Sequence, residues 1–261
     1  MEEDVILFAN EGGIGIITIN RPKAMNAMNL DLLGQLDNLL DKIKADLSVK
    51  VVILTGAGEK AFIAGADIAY MSKQSPLGIR EFAATGQRIS RKLETLPQPV
   101  IAAVNGFALG GGTELAISCD YILASENAKF GQPEVKIGVF PGFGGSQRLI
   151  RIVGKLRAKE MCFFGENMTA RRGLEIGLVN EVVEPAKLME RAKELARKLI
   201  DGTGLLAVGL CKRAMEFGAS LPLDEGLALE QSLFCMCFDS QDQKEGMAAF
   251  LEKRKPTFRG K

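Results

Sequence analysis

Hydrophobic positions change their spacing in a regular rhythm along the chain. Residues 5–10 and 14–20 are β-rich stretches flanking Glu11-Gly12-Gly13, which signals a hairpin. Asn29 is placed to cap a helix in which Leu32, Leu33, Leu36, Leu39, Leu40 and Ile43 recur at three- and four-residue spacing. Residues 51–55 form an unbroken apolar run ending at Gly56, the pattern of a strand covered on both faces. The rhythm then repeats. A helix is predicted over 76–96, with Ile79, Phe82, Ile89 and Leu93 on one stripe and Pro97 as its stop. A second buried strand covers 100–104, followed by a glycine-rich turn and a helix from about 111 to 119. A third strand covers 121–124, and helices are expected over 155–164 and from the Thr169 cap, before an apolar stretch at 178–183.

From Pro185 onward the pattern is almost wholly helical, with amphipathic segments over 188–200, 205–217, 223–238 and 243–255. The expectation is an α/β chain built from strand–strand–helix units. A catalytic core would occupy residues 1–200 and a helical C-terminal region residues 201–261.

Composition narrows the chemistry. The 261 residues are 47% hydrophobic and 25% charged, ordinary for a globular protein. Net charge is +1, with no Trp and two Tyr, which argues against a nucleic-acid partner. Five scattered cysteines, Cys119, Cys162, Cys211, Cys235 and Cys237, read as reduced thiols of a cytosolic protein. Glu2, Glu3 and Asp4 do not form a signal or transit peptide, so a cytoplasmic location is expected. The longest apolar run, 99–118, contains four glycines, Asn105 and Glu114, and reads as strand–turn–helix, not as a membrane span.

The chain contains no histidine, which removes Ser-His-Asp and Cys-His catalysis and His-ligated metals. Acid–base chemistry must therefore rest on carboxylates, lysines, tyrosines or thiols. Glu114 and Glu134 each lie beside a glycine-rich turn. In Asn105-Gly-Phe-Ala-Leu-Gly-Gly-Gly-Thr-Glu114 a strand enters, three glycines allow close backbone approach, and a helix leaves with free N–H groups. The spacing is neither G-x-G-x-x-G nor a P-loop. Gly111 and, after the 51–55 strand, Ala66 could supply two backbone donors to a developing oxyanion. Glu134, beside Pro133 and near apolar neighbours, is placed for general acid work with a raised pKa.

Taken together, these segments closely resemble the enoyl-CoA hydratase/isomerase (crotonase) superfamily over essentially the whole chain. The resemblance rests on Asn20-Arg-Pro-Lys-Ala-Met-Asn26, Ala64-Gly-Ala-Asp67, the 105–114 segment, Phe130-Gly-Gln-Pro-Glu134, Pro141-Gly-Phe-Gly-Gly and the terminal Phe250-Leu-Glu-Lys-Arg-Lys255. It implies a spiral of ββα units with a C-terminal oligomerisation region, assembled as a trimer or a dimer of trimers. Glutamate at both the 114 and 134 positions resembles the hydratases, and short-chain crotonase-like members look most similar. Thr113 stands where many relatives have cysteine.

The implied reaction is hydration of a trans-2-enoyl-CoA by Glu114 and Glu134, with Ala66 and Gly111 as oxyanion hole and Gly142 positioning the water. The CoA thioester is the substrate, and no metal or other cofactor is expected. CoA contacts are expected from Lys23, Ala64, Ala66, Asp67, Ile68, Gly111, Phe250 and Lys253, with Tyr70 and Met71 limiting the acyl pocket. The alternatives are a branched or cyclic enoyl-CoA substrate and an RNA-binding member of the superfamily.

Overall fold

A computed structural model describes residues 4–260. The chain opens with the predicted hairpin, β1 (Ile6–Glu11) against β2 (Ile14–Ile19), and continues into α1 (Leu30–Ala45) behind the Asn29 cap, whose side chain accepts from Leu32 N–H at 3.0 Å. Three turns of a spiral follow. The first is β3 (Val51–Gly56), β4 (Ala61–Ile63), the short α2 (Ile68–Met71) and α3 (Pro76–Thr95). The second is β5 (Val100–Val104), β6 (Phe107–Leu109) and α4 (Gly111–Ala116). The third is β7 (Tyr121–Ser125) and β8 (Lys129–Gly131), then α5 (Gly145–Ile152) and α6 (Gly154–Phe164). The chain continues through β9 (Met168–Thr169), α7 (Ala170–Glu175), β10 (Glu181–Val183) and α8 (Leu188–Gly202) to the C-terminal α9 (Leu205–Gly218), α10 (Leu223–Cys237) and α11 (Gln241–Leu251).

Each turn gives one strand to each of two sheets. The larger has the order β1-β2-β3-β5-β7-β10 and is parallel except at the hairpin; the smaller has the order β4-β6-β8-β9. This is the α/β ββα architecture expected.

The continuous apolar runs follow from burial on both faces. Val52 and Leu54 of β3 face the main core with α1 and α3, while Val51 and Ile53 face a second cluster closed by Leu188, Ala192 and Ala196 of α8. No alternation is possible in such a strand, and none is seen in its sequence.

The structure departs from the expectation in its short elements. The helix predicted over 111–119 is confined to Gly111–Ala116, and of the apolar stretch 178–183 only Glu181–Val183 is strand, because Leu178 and Val179 N–H groups turn back to Gly173 O. Strands β4, β6, β8 and β9, two or three residues each, carry no sequence period of their own. They nevertheless build the second sheet, and its strand ends carry the candidate site.

The C-terminal helices pack on the core through few residues. Lys212 of α9 is buried, and its Nζ donates to Asp120 Oδ2 at 2.7 Å and to Leu93 O at 2.8 Å. By contrast Met215, Leu223, Phe234, Met236, Phe250 and Leu251 are exposed, Leu223 at 76% and Phe250 at 82%. No helix among the described residues is long and apolar enough to cross a membrane.

Candidate active site

Glu114 lies in the first turn of α4, a helix entered directly from β6. Its carboxylate is 1% exposed, and both hydrogen bonds it accepts end on one oxygen: Phe143 N–H at 2.8 Å and Gly145 N–H at 2.6 Å donate to Oε1. Oε2 is left for other chemistry. Burial pushes its pKa up to about 7; the Gly145 N–H opposes the rise and the charge of Glu134 adds to it.

Glu134 lies on the 3-10 turn Pro133–Ile137 that leaves β8, and burial likewise raises it to about 7. With its amide oriented nitrogen-first, buried Gln132 donates to Glu134 Oε1 at 2.9 Å and Oε2 at 3.1 Å. Gly110 separates the two acids. Its φ is +51°, and a Cβ there would lie 2.7 Å from Glu134 Oε1, so both conformation and space demand glycine.

Thr113 fastens the two acid-bearing segments together. Its buried hydroxyl lies 2.5 Å from Ala108 O of β6 and 3.0 Å from Gly131 O of β8, and it accepts from Gly131 N–H. A cysteine could not make such short oxygen contacts.

Opposite the acids, Met28 and Ala66 form a parallel bridge in which Met28 N–H donates to Gly65 O and Asp67 N–H to Met28 O. That pairing uses the groups on either side of the Ala66 N–H and leaves it without an acceptor among the described residues. Gly111, the first residue of α4, likewise has an N–H without an acceptor, as a helix start dictates.

These groups share a cavity of about 580 Å³. Of the residues singled out in the sequence, Ala64, Ala66, Ile68, Met71, Gly111, Glu114, Glu134 and Gly142 line it. Apolar walls come from Ile79, Phe82, Leu109 and Phe143, and from Ile137, Val139 and Phe140 on the exposed side.

The remaining five lie elsewhere. The Asp67 carboxylate caps α2 through Tyr70 N–H at 3.1 Å and pairs with Arg21 at 3.2 Å. Burial would raise its pKa, but these partners outweigh it and hold the carboxyl below its usual value. The Tyr70 ring packs on Phe82, centroids 5.3 Å apart, and Phe82 on Phe143 at 5.2 Å, so Tyr70 is in a second row behind the cavity wall. Lys23 is exposed on the 3-10 turn Pro22–Ala24. Phe250 is the penultimate residue of α11 and Lys253 lies just beyond that helix with φ +54°, both outside this cavity.

Sequence reasoning missed the holders of the acids. Phe143 and Gly145 fall in a motif read only for water positioning, and the glycine cluster 142–145 was the one signal that its backbone approaches something closely.

A ββα spiral in which a buried and a half-buried carboxyl share an apolar cavity with two backbone donors unpaired among the described residues defines a class of acyl-thioester enzymes. Residues 9–261 match the model of the enoyl-CoA hydratase/isomerase family, and the chain belongs to that family. It is 51% identical to the short-chain-enoyl-CoA hydratase of Clostridium acetobutylicum, over 98% of this chain and 97% of that one. It is 47% identical to the crotonyl-CoA hydratase of Syntrophomonas wolfei over 99% of each. Among solved structures, an enoyl-CoA hydratase from Bacillus anthracis superposes with a TM-score of 0.94 at 40% identity, covering 99% of this chain and 100% of that one.

The acids carry a pH signature in stability. An unfolded carboxyl loses its proton near the ordinary 4.5, whereas the folded Glu114 keeps it to about 7, so between these values the folded state holds the extra proton. Stability attributable to this group therefore falls as pH rises through that window. Glu114→Gln, which keeps both backbone donors satisfied without a titrating group, is expected to melt higher than wild type at pH 8 and to flatten the Tm profile between pH 5 and 8. Parallel Tm profiles for the two proteins would contradict the raised pKa.

Proposed function

We propose that the protein reversibly hydrates a short-chain trans-2-enoyl-CoA, of the crotonyl-CoA kind, to the 3-hydroxyacyl-CoA. The observation that carries this reading is one apolar cavity holding two carboxyls that burial raises to about 7, one of them tied down by a single oxygen.

In this mechanism the Ala66 and Gly111 N–H groups donate to the thioester oxygen, drawing electron density from Cβ and stabilising the enolate. The Gly142 N–H helps hold a water between the acids. Glu114, through the free Oε2, takes a proton from that water as its oxygen bonds to Cβ. Glu134 gives its proton to Cα as the enolate collapses. One proton shared between two mutually repelling acids is the state their matched pKa values favour near neutral pH, and the pair titrates as a unit. Ala64 and Ile68 line the path of the CoA chain, Met71 contributes to the acyl wall, and Lys23, Phe250 and Lys253 reach the nucleotide end of CoA. No metal or further cofactor takes part, and the reaction belongs to the cytoplasm.

The test is kcat/KM over trans-2-enoyl-CoA thioesters from C4 to C16 and cyclic dienoyl forms. The rate is expected to be highest at C4 and to fall with length, because the packed rings of Phe82 and Phe143 stand in the cavity wall and limit its room. Rates rising steadily to C16 would overturn the short-chain assignment.

We further propose that residues 201–261 assemble the chain as a trimer or a dimer of trimers. Exposed Met215, Leu223, Phe234 and Met236 on α9 and α10 form more apolar surface than a solvated appendage carries. Assembly would also bring Phe250 and Lys253, which do not line this chain's own cavity, to a neighbour's CoA. Light scattering at micromolar concentration is expected to give three or six times the 28.2 kDa chain mass. The double variant Phe234→Glu, Met236→Glu is expected to give smaller species with a raised KM. A wild-type mass near one chain would refute this.

A further inference from the structure

One half-buried cation reaches toward Glu114 without touching it. Arg148 of α5 has a mostly buried side chain; its Nε donates to Glu94 Oε1 of α3, and its Nη1 donates to Phe143 O at 2.9 Å. The position of that carbonyl matters. Phe143 N–H and Gly145 N–H, the two donors to Glu114 Oε1, belong to the first and third of three consecutive peptide units. The carbonyl held by Arg148 belongs to the unit between them. The guanidinium also lies close over Gly144, whose φ is +109° and whose Cβ would fall 2.0 Å from Nη1. A segment with glycine at 142, 144 and 145 cannot fix its peptide planes with its own side chains; Gln87 Nε2 holds Gly142 O at 2.9 Å, and Arg148 holds the next carbonyl.

We infer that Arg148, oriented by Glu94, is a positioning residue for Glu114: it locks the middle peptide of residues 143–145 so that the flanking N–H groups stay on Oε1 and Oε2 stays aimed at the water. This rests on the proposed role of Glu114 as base. The charge of Arg148 acts in the same direction, since it favours the ionised form of Glu114.

The other titratable groups facing this centre are Glu134 on the 3-10 turn, which disfavours a second charge, and the half-buried Cys162 thiol of α6, raised to about 11 and so neutral near pH 7. On the far side Glu94 also pairs with Arg91 of α3 at 3.2 Å, which in turn reaches Glu216 of α9 at 3.4 Å. Glu94 therefore keeps one cationic partner when Arg148 is removed.

The test uses the full-length protein and crotonyl-CoA. Because Arg148→Met alone would leave the Glu94 carboxylate with Arg91 as its single cationic partner among the described residues, the variant is the pair Glu94→Gln, Arg148→Met, with Arg148→Lys as the conservative control. The pair is expected to lower kcat about tenfold or more while KM changes little. The acidic limb of its kcat/KM profile is expected to move up by about half a pH unit or more, as Glu114 loses its charge partner and its donors loosen. Arg148→Lys keeps the charge but cannot serve Glu94 and Phe143 O with a fork; it should restore the limb and recover only part of kcat.

A folded pair variant with wild-type kcat and limb overturns the inference, as does one whose kcat falls while its limb stays in place, since that is what a purely structural residue would give. If the pair does not fold, an Arg148→Lys variant with wild-type kcat overturns it equally. Failure of the underlying reading looks different: Glu114→Gln itself would stay active.

Discussion

Glu114→Gln and Glu134→Gln are each expected to lower kcat for enoyl-CoA hydration by about 10²–10⁴-fold, the range for losing a positioned acid or base. The substitutions are nearly isosteric. Gln at 114 can still accept from Phe143 and Gly145 N–H through its oxygen, so the loop that holds the carboxylate keeps both bonds. What the amide loses is the ability to take a proton from water at the remaining position. At 134 the loss is the proton delivered to Cα, and Gln132 retains a polar partner. KM is expected to change little in either variant, because neither acid supplies the backbone donors that hold the thioester. The double variant should be scarcely slower than the slower single one, since two residues sharing one proton inventory act as a unit. Stopped-flow loss of the conjugated enoyl absorbance measures all three. Retention of a tenth of wild-type kcat by both single variants would remove the two-acid mechanism.

The sequence makes visible what has a period or a steric requirement. The 3.6-residue stripes of α1 and α3 and the unbroken runs of β3 and β5 announce themselves because each buries whole faces. Glu114 and Glu134 stand out because a histidine-free chain leaves few other acid–base groups, and the glycines beside them mark close approach. What could not be read is any contact between segments far apart in sequence. Glu114 is held by residues 29 and 31 positions later, through backbone N–H groups that every residue but proline possesses.

Tyr70 illustrates the same limit from the other side. Its size and its place after Ala66 suggested a pocket wall, yet one turn of α2 directs Met71 into the cavity and Tyr70 onto Phe82. Asp67 is the third case: expected along the CoA path, it uses its carboxylate to cap α2 and to meet Arg21 from a distant loop. Helix phase and capping decide these directions, and a four-residue helix has too few residues to show its phase in sequence.

Gly111→Pro is expected to cost about 10²–10³ in kcat, the range for deleting one oxyanion-hole donor, without unfolding the chain. Gly111 is the first residue of α4, the helical position at which proline is best tolerated because its N–H has no partner within the helix. The substitution removes the donor under test and adds a Cβ that would approach Met28 Cε at 2.5 Å, a contact the alanine control shares. Gly111→Ala provides the control. Its methyl would approach Met28 Cε at 2.5 Å, but that atom is the end of a flexible side chain and can move aside, and the N–H is retained. Bound cinnamoyl-CoA reports the difference directly, since polarisation of its thioester carbonyl shifts its absorption to the red. The shift is expected with wild type and Gly111→Ala and is expected to shrink sharply with Gly111→Pro. Because the proposed CoA contacts at Ala64, Ile68 and the nucleotide end do not involve the Gly111 N–H, binding should persist in the proline variant, so a lost shift would report lost polarisation and not an empty site. An unchanged shift in folded, ligand-saturated Gly111→Pro would mean that Ala66 N–H acts alone or that the thioester oxygen lies elsewhere in the cavity, and either result would dismantle the proposed oxyanion hole.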